Sequence, residues 1–123
     1  MQRFTNAPFY KVPRSYPFDF AMTDKRGDIF AVAEVKNRSY AFADIPDYMI
    51  AANKIMKLLA FGERLSVDCY LVVNAPDGLF FWHLDPKALD KFRLTMGGRS
   101  DRNDPADSEP VCRLPLDWFE RVG

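Results

Sequence analysis

Continuous apolar runs, each closed by a polar turn sequence, dominate the pattern of this chain. Three runs are almost free of internal charge and predict buried strands, and a fourth, rich in aromatic residues, predicts a strand after a proline-containing segment. Turn sequences at residues 23–27 and 74–78 join these strands into two hairpins. The predicted strands are residues 16–22, 28–36, 67–73 and 79–84.

Apolar positions at helical spacing predict a helix between the two hairpins. Asp44 is its candidate N-cap, Pro46 suits the first turn, and Gly62 suits the position after the last turn. A second, short helix is predicted to start at Asp85 and to end at about Phe92. The apolar face of the first helix is predicted to consist of Tyr48, Ala51, Ala52, Ile55, Leu58 and Leu59.

The order of these elements predicts an α/β fold. A long helix between two hairpins favours a parallel crossover, which gives a mixed central sheet of about four or five strands. We expect a single domain over residues 1–123 with its core at 16–92. A polar loop at 97–110 and a docked C-terminal segment at 111–123 complete the predicted organisation.

Composition excludes several classes of protein. The 123 residues are 48% apolar, 15% aromatic and 28% charged, which suits one dense core and excludes a disordered chain or a coiled coil. No apolar run is long enough to span a membrane and no signal-peptide pattern is visible, so we expect a cytoplasmic protein without membrane contact. Two cysteines, Cys69 and Cys112, are too few for a disulfide framework or a zinc site.

Charge is balanced overall but not along the chain. There are 17 basic and 17 acidic side chains. A net charge of zero is unusual for a nucleic-acid-binding protein, because phosphate contacts from Lys and Arg dominate that affinity. Residues 1–60 nevertheless have nine Lys or Arg against six Asp or Glu, so a polyanion is expected to contact this half.

Two charges, Glu34 and Lys36, interrupt the end of an otherwise apolar strand. Strand alternation places both side chains on one face, while Val35 points away and leaves its carbonyl available. Asp19 lies in the neighbouring strand of the same predicted hairpin and is expected to approach them. Two carboxylates and a carbonyl are oxygen ligands suited to Mg²⁺ or Mn²⁺. Lys36 would then orient a metal-bound water or stabilise charge on a phosphate.

These residues resemble a known signature. Pro17-Phe18-Asp19 followed by Glu34-Val35-Lys36 is similar to the P-x-D…(D/E)-x-K motif of the PD-(D/E)xK nuclease superfamily. The segment Glu34-Val35-Lys36-Asn37-Arg38 and the later Asp77-Gly78-Leu79-Phe80 hairpin are similar to those of small phage and bacterial, Holliday-junction-resolvase-like members. The resemblance covers residues 16–84 and implies a restriction-endonuclease-like core. One departure is that residues 1–18 contain no Asp or Glu, where many members have a further acidic residue.

The resemblance also implies roles for individual residues. Asp19 and Glu34 would bind the metal together with the Val35 carbonyl, and Asp19, Glu34 and Lys36 would be catalytic. Lys54, on the polar side of the predicted helix with Lys57 behind it, would contact phosphate. The implied nucleic-acid contacts are Arg38, Lys54 and Lys57. The implied activity is metal-dependent DNA endonuclease activity, selective for DNA structure, in a homodimer with residues 80–82 or 111–122 at its interface.

Other interpretations of the same residues stay open. Glu34 and Lys36 are also explained as a cross-strand charge pair on a solvated face, and Lys54 as a solvent-facing helix residue. His83 is predicted to be a structural strand residue, because no nucleophile accompanies it. The alternative function is an inactive nuclease-fold protein that binds nucleic acid or a protein partner.

Overall fold

The computed structural model describes residues 8–87, 91–98 and 108–122, which form two β-sheets and one α-helix. Single-turn 3-10 helices lie at Phe42–Asp44 and Leu116–Trp118. The strands are β1 (Phe9–Lys11), β2 (Phe20–Thr23), β3 (Ile29–Asn37), β4 (Tyr48–Ala51), β5 (Asp68–Ala75), β6 (Gly78–His83), β7 (Arg93–Gly98), β8 (Ser108–Leu114) and β9 (Glu120–Val122), and the helix is α1 (Ala52–Leu65).

The main sheet has six strands in the order β1-β2-β3-β5-β6-β9. β3 and β5 are parallel, and every other neighbouring pair is antiparallel. The two predicted hairpins, β2–β3 and β5–β6, are therefore joined by a crossover that contains α1, which confirms the mixed α/β fold. The sheet is wider than predicted because the three-residue strands β1 and β9 add its two edges.

The start of the crossover helix was predicted wrongly. Residues Tyr48–Ala51 form β4 instead of the first helical turn, because Tyr48 and Ile50 are buried while Met49 between them is exposed, a period of two. The helix begins at Ala52, passes through Gly62 and ends at Leu65, with Ser66 in the left-handed conformation. Asp44 is the last residue of a 3-10 turn and not a helix cap.

A second sheet, in the order β4-β8-β7, was not predicted. β7 and β8 occupy both ends of the predicted polar loop 97–110, and the rest of that loop lies outside the described residues. The predicted helix at 85–92 includes residues 88–90, which also lie outside them. At its start the Asp85 carboxylate accepts a hydrogen bond from the Lys87 backbone N–H, 2.9 Å, and β7 begins directly after Phe92.

The core lies between the main sheet, α1 and the second sheet. Ile55 and Leu58 of α1 are fully buried against it, and Phe119, close to the C-terminal end, packs into the same cluster. Burying each large apolar side chain contributes about 1.5–3 kcal/mol. Val32 of β3 faces this core, so the alternation of a strand directs Glu34 and Lys36 toward the same layer.

Candidate active site

The register of the β2–β3 hairpin brings Asp19 beside Glu34. Phe20 pairs with Ala33, and Asp19 immediately precedes Phe20. The Asp19 N–H donates to the Ala33 carbonyl, 2.9 Å, and its carboxylate Oδ2 accepts the backbone N–H of Val35, 2.8 Å. Asp19 lies just outside β2 and not within a strand at 16–22 as predicted. The Asp19 carboxylate accepts the Val35 N–H in place of a backbone carbonyl of a neighbouring strand. This hydrogen bond fixes the carboxylate against β3.

Glu34 is a buried carboxylate with two ammonium partners. Its side chain is only 5% exposed, and the strand residues before it, 30–33, are all apolar. Lys36 Nζ lies 3.4 Å and Lys54 Nζ lies 3.2 Å from the same oxygen, Oε1. The two lysine side chains are 33% and 27% exposed, so the buried carboxylate is paired with side chains that are themselves in contact with solvent. Lys54 thus reaches from α1 to the carboxylate on β3.

The second oxygen of Glu34 is available for a ligand. Oε2 is buried and has no hydrogen-bond partner among the described residues. A buried carboxylate oxygen without a partner is costly, which is a reason to expect a cation there. The donors of Asp19 and Glu34 fit a hard divalent cation. Within the described residues no cluster of three or more His, Cys, Asp or Glu side chains is present, so the two carboxylates would need backbone or water oxygens as further ligands.

The two remaining predicted contacts are Arg38 and Lys57. Arg38 follows β3 directly, and its guanidinium lies 5.6 Å from the centroid of the Tyr48 ring. Arg38 Nη1 donates to the Asn37 carbonyl, 2.9 Å, and this hydrogen bond holds the guanidinium at the carboxyl end of β3. Lys57 lies one turn beyond Lys54 on α1, is exposed, and forms no ion pair with another described residue. The structure thus brings Asp19, Glu34, Lys36 and Lys54 together and leaves Lys57 apart.

Two residues that shape the site were not recognised from the sequence. Tyr48 was placed on the helix, but as part of β4 its hydroxyl is buried without a partner among the described residues, and burial raises the pKa of Tyr48 to about 12. Asp77, in the β5–β6 turn, accepts the N–H groups of Phe42 (2.7 Å) and Ala43 (3.0 Å) and holds the segment after Arg38. The Asp-Gly turn sequence indicated a turn at Asp77, and no local signal indicated either contact.

His83 lies away from these residues. It is on β6, half exposed, with Nε2 3.4 Å from Asp68 Oδ1 and its ring stacked 4.9 Å from that of Tyr70. Asp68 begins β5, opposite Ala31, whereas Lys36 is opposite Val73 at the other end. Glu34 is opposite Leu71, so about three residues of strand, or roughly 10 Å, separate Asp68 from Glu34, and His83 lies two strands away from Glu34, on β6.

A mixed sheet with a parallel crossover, and an Asp, a Glu and a Lys gathered beside its β2–β3 hairpin, define a nuclease fold of the PD-(D/E)xK class. Residues 1–122 match the family described as phage putative PDDEXK endonuclease, and the chain belongs to that family. No curated protein sequence matches the chain.

A solved structure has the same architecture. Hjc of Archaeoglobus fulgidus, a Holliday junction resolvase from an archaeal hyperthermophile, is similar with a TM-score of 0.56 and 14% sequence identity. The likeness covers 93% of this chain and 81% of that chain, and at this identity it concerns the fold.

In the described part of this chain, no helix has the length and apolar character needed to cross a bilayer.

Proposed function

We propose that this chain is a DNA endonuclease that hydrolyses phosphodiester bonds with Mg²⁺ or Mn²⁺ as cofactor. The proposal depends on one observation: the side chains of Asp19, Glu34 and Lys36 lie together at the carboxyl end of β3. Membership of a family described as putative endonucleases supports it. The unpartnered Oε2 of Glu34 supports the cation, because a metal ion would satisfy a buried oxygen that no described side chain satisfies.

Asp19 and Glu34 would hold the cation. One oxygen of Asp19 is already bonded to the Val35 N–H, which leaves the other for the metal. In an extended strand the N–H and C=O of one residue leave on the same side, so the Val35 carbonyl is directed toward Asp19 and is proposed as the third ligand. When bound, the cation lowers the pKa of water and neutralises charge on the phosphate.

The lysines would act on the substrate. Lys36 is one-third exposed and within reach of Glu34, so its ammonium is placed to donate to an attacking water or to a phosphate oxygen. Donors fixed at the position where charge develops lower the barrier most. Lys54 provides a second ammonium beside it. Arg38 and Lys57 would contact the DNA backbone away from the cleaved bond and position it.

A homodimer is part of this proposal. A chain of 123 residues has little surface with which to hold a duplex and cut both strands. The interface predicted at residues 80–82 is not supported, because β6 lies between β5 and β9, and Phe81 and Trp82 are buried in the chain's own core. Light scattering is expected to give twice the chain mass of 14.2 kDa, and the mass of one chain would refute the dimer.

Cleavage of a DNA panel tests the activity. Linear, nicked, branched and single-stranded DNA would be incubated with Mg²⁺ or Mn²⁺ and wild type, Lys36→Ala, Glu34→Gln or Lys25→Ala. Lys25 is exposed in the β2–β3 turn, at the opposite end of β3, and controls for the loss of one positive charge. Wild type and Lys25→Ala are expected to cut, with branched DNA preferred, and the two site variants to lose activity. Equal cleavage by all four preparations would reveal a contaminating nuclease and refute the assignment.

An inactive, binding form of the fold is the second candidate. It is favoured by the absence of a third acidic residue among the described residues near the two carboxylates. Metal linkage separates the candidates, because a ligand that binds only the folded state raises the melting temperature. An intact site is expected to show a rise with Mn²⁺ that Asp19→Asn abolishes. No rise in wild type, combined with a gel shift of branched or single-stranded DNA, would favour the binding protein.

A further inference from the structure

The two lysine contacts to Glu34 are asymmetric. Both ammonium groups lie on Oε1, at 3.2 Å for Lys54 and 3.4 Å for Lys36, whereas Oε2 has no partner among the described residues. The two cations are therefore near neighbours of each other as well as of the carboxylate. Two ammonium groups at this spacing repel each other, so the arrangement is favourable only while the negative charge of Glu34 compensates for the repulsion.

The two lysines reach Glu34 from different elements. Lys36 is two residues along the same strand, so its position follows that of Glu34. Lys54 is in the first turn of α1, a turn that has no acidic residue and no side-chain cap. The free N–H groups of a helix N-terminus create positive potential, which disfavours a lysine there. Glu34 is the described group that compensates for this placement.

We propose that Lys54 competes with the divalent cation through its charge: the ammonium on Oε1 of Glu34 holds the metal-free site neutral and weakens the binding of a cation at the unpartnered Oε2. This inference rests on the proposed metal-dependent function. Asp19 and Glu34 contribute two negative charges, and Lys36 and Lys54 contribute two positive charges. A cation therefore enters a site of zero formal charge, and removing Lys54 would change that charge to −1.

The expected effect can be scaled from electrostatics. An ammonium about 6 Å from a divalent cation raises the dissociation constant about tenfold even at the dielectric constant of bulk water. The partly buried setting of Glu34 strengthens the repulsion. Replacing Lys54 by the uncharged, similarly long Met is therefore expected to tighten Mn²⁺ binding by at least about tenfold. The same variant is expected to cleave DNA more slowly, because it lacks one phosphate contact.

Direct measurement of Mn²⁺ binding to the DNA-free protein tests this competition. Titration calorimetry, or the electron paramagnetic resonance signal of free Mn²⁺, would be compared for wild type, Lys54→Met, Lys54→Gln and Lys54→Arg. Lys25→Met controls for a change of net charge far from the site. We expect Met and Gln to tighten binding, and Arg and the Lys25 variant to stay close to wild type. Circular dichroism would confirm that each variant is folded, and having two neutral variants guards against one that fails to fold.

The outcomes separate this inference from the proposed function. If wild type binds Mn²⁺ and Glu34→Gln does not, but both neutral Lys54 variants bind no tighter than wild type, the competition is refuted and the metal site stands. If Lys54→Arg binds as tightly as Lys54→Met, charge is not the cause and the competition is refuted as well. If none of the proteins binds Mn²⁺ up to millimolar concentration, the metal-dependent function itself fails.

Discussion

The hydroxyl of Tyr48 provides a sharp test of the packing between the two sheets. It is buried and no described group meets hydrogen-bond geometry with it, although the Arg38 guanidinium is close enough to lower its pKa against the larger effect of burial. Tyr48→Phe removes this oxygen and leaves the ring contacts in place. Those contacts are the Phe42 ring stacked at 6.2 Å, the Phe119 ring edge-on at 5.9 Å and the Arg38 guanidinium at 5.6 Å.

The magnitude follows from the burial of the oxygen. The Tyr48 side chain is fully buried, and the raised pKa of about 12 has the same cause, loss of water around the hydroxyl. Leaving a buried polar group unpaired costs about 1–3 kcal/mol, whereas the void left by one oxygen atom costs less than about 1 kcal/mol. Tyr48→Phe is therefore expected to raise the free energy of unfolding by about 1 kcal/mol, or the melting temperature by about 4 °C.

Urea unfolding, followed by circular dichroism, measures this difference. Tyr16→Phe is the matched control, because Tyr16 is 50% exposed and its hydroxyl is hydrated, so we expect a change within about 0.5 kcal/mol. Tyr48→Ala removes the ring as well and is expected to cost about 3–5 kcal/mol, which shows that the position is sensitive. A loss of 1 kcal/mol or more, on the order of a full hydrogen bond, in Tyr48→Phe would refute the reasoning, since it would reveal a partner for the hydroxyl.

Three further predictions concern the elements around the site. The two backbone N–H donors hold the pKa of Asp77 below its usual value, so its stabilisation is present above the unfolded-state pKa and is lost as pH falls through the folded-state pKa. Thermal melts of wild type and Asp77→Ala should differ at neutral pH and converge in acid, and a constant difference would contradict this. Gly62→Ala is expected to lower the free energy of unfolding by about 1–3 kcal/mol, because the new Cβ would lie 2.7 Å from Cys69 Sγ, even though alanine has the better helix propensity. Urea unfolding measures this change. An unchanged or higher free energy of unfolding would contradict the prediction. Burial raises the pKa of Cys69 to about 11 and also raises that of Cys112, so both thiols should react with a disulfide reagent at pH 8 only after unfolding, and rapid reaction of the native protein would refute this.

The central part of the fold was predictable because its signals are local. β3, β5 and β6 are continuous apolar runs with polar turns beside them, and their bounds differ from the prediction by about one residue at most ends. The candidate site was found for the same reason, since Glu34 and Lys36 interrupt an apolar strand. The wrong helix start does not change the side of the helix on which Lys54 lies, because helical phase depends on the spacing from Ile55 and Leu58 and not on the first residue.

The second sheet could not be predicted because its strands are defined by distant partners. Tyr48 fits a strand and also continues the predicted apolar face of the helix, and only pairing with β8, about 60 residues later, decides between the two. Strands β1 and β9 have three residues each, too few for any alternation to be visible. The unpaired hydroxyl of Tyr48 and the turn contacts of Asp77 depend on that tertiary pairing and leave no local trace.

The last strand of the main sheet has a consequence for how the protein reaches its folded state. β9 pairs with β6 and covers the backbone edge of a segment that contains Leu79, Phe80 and Phe81. An uncovered aromatic edge strand is a template for pairing with other molecules. During synthesis β6 emerges well before β9, so this edge stays open until the segment that closes it is available. We therefore expect folding to be slow and non-local, and aggregation to compete with it most strongly in chains shortened before Glu120.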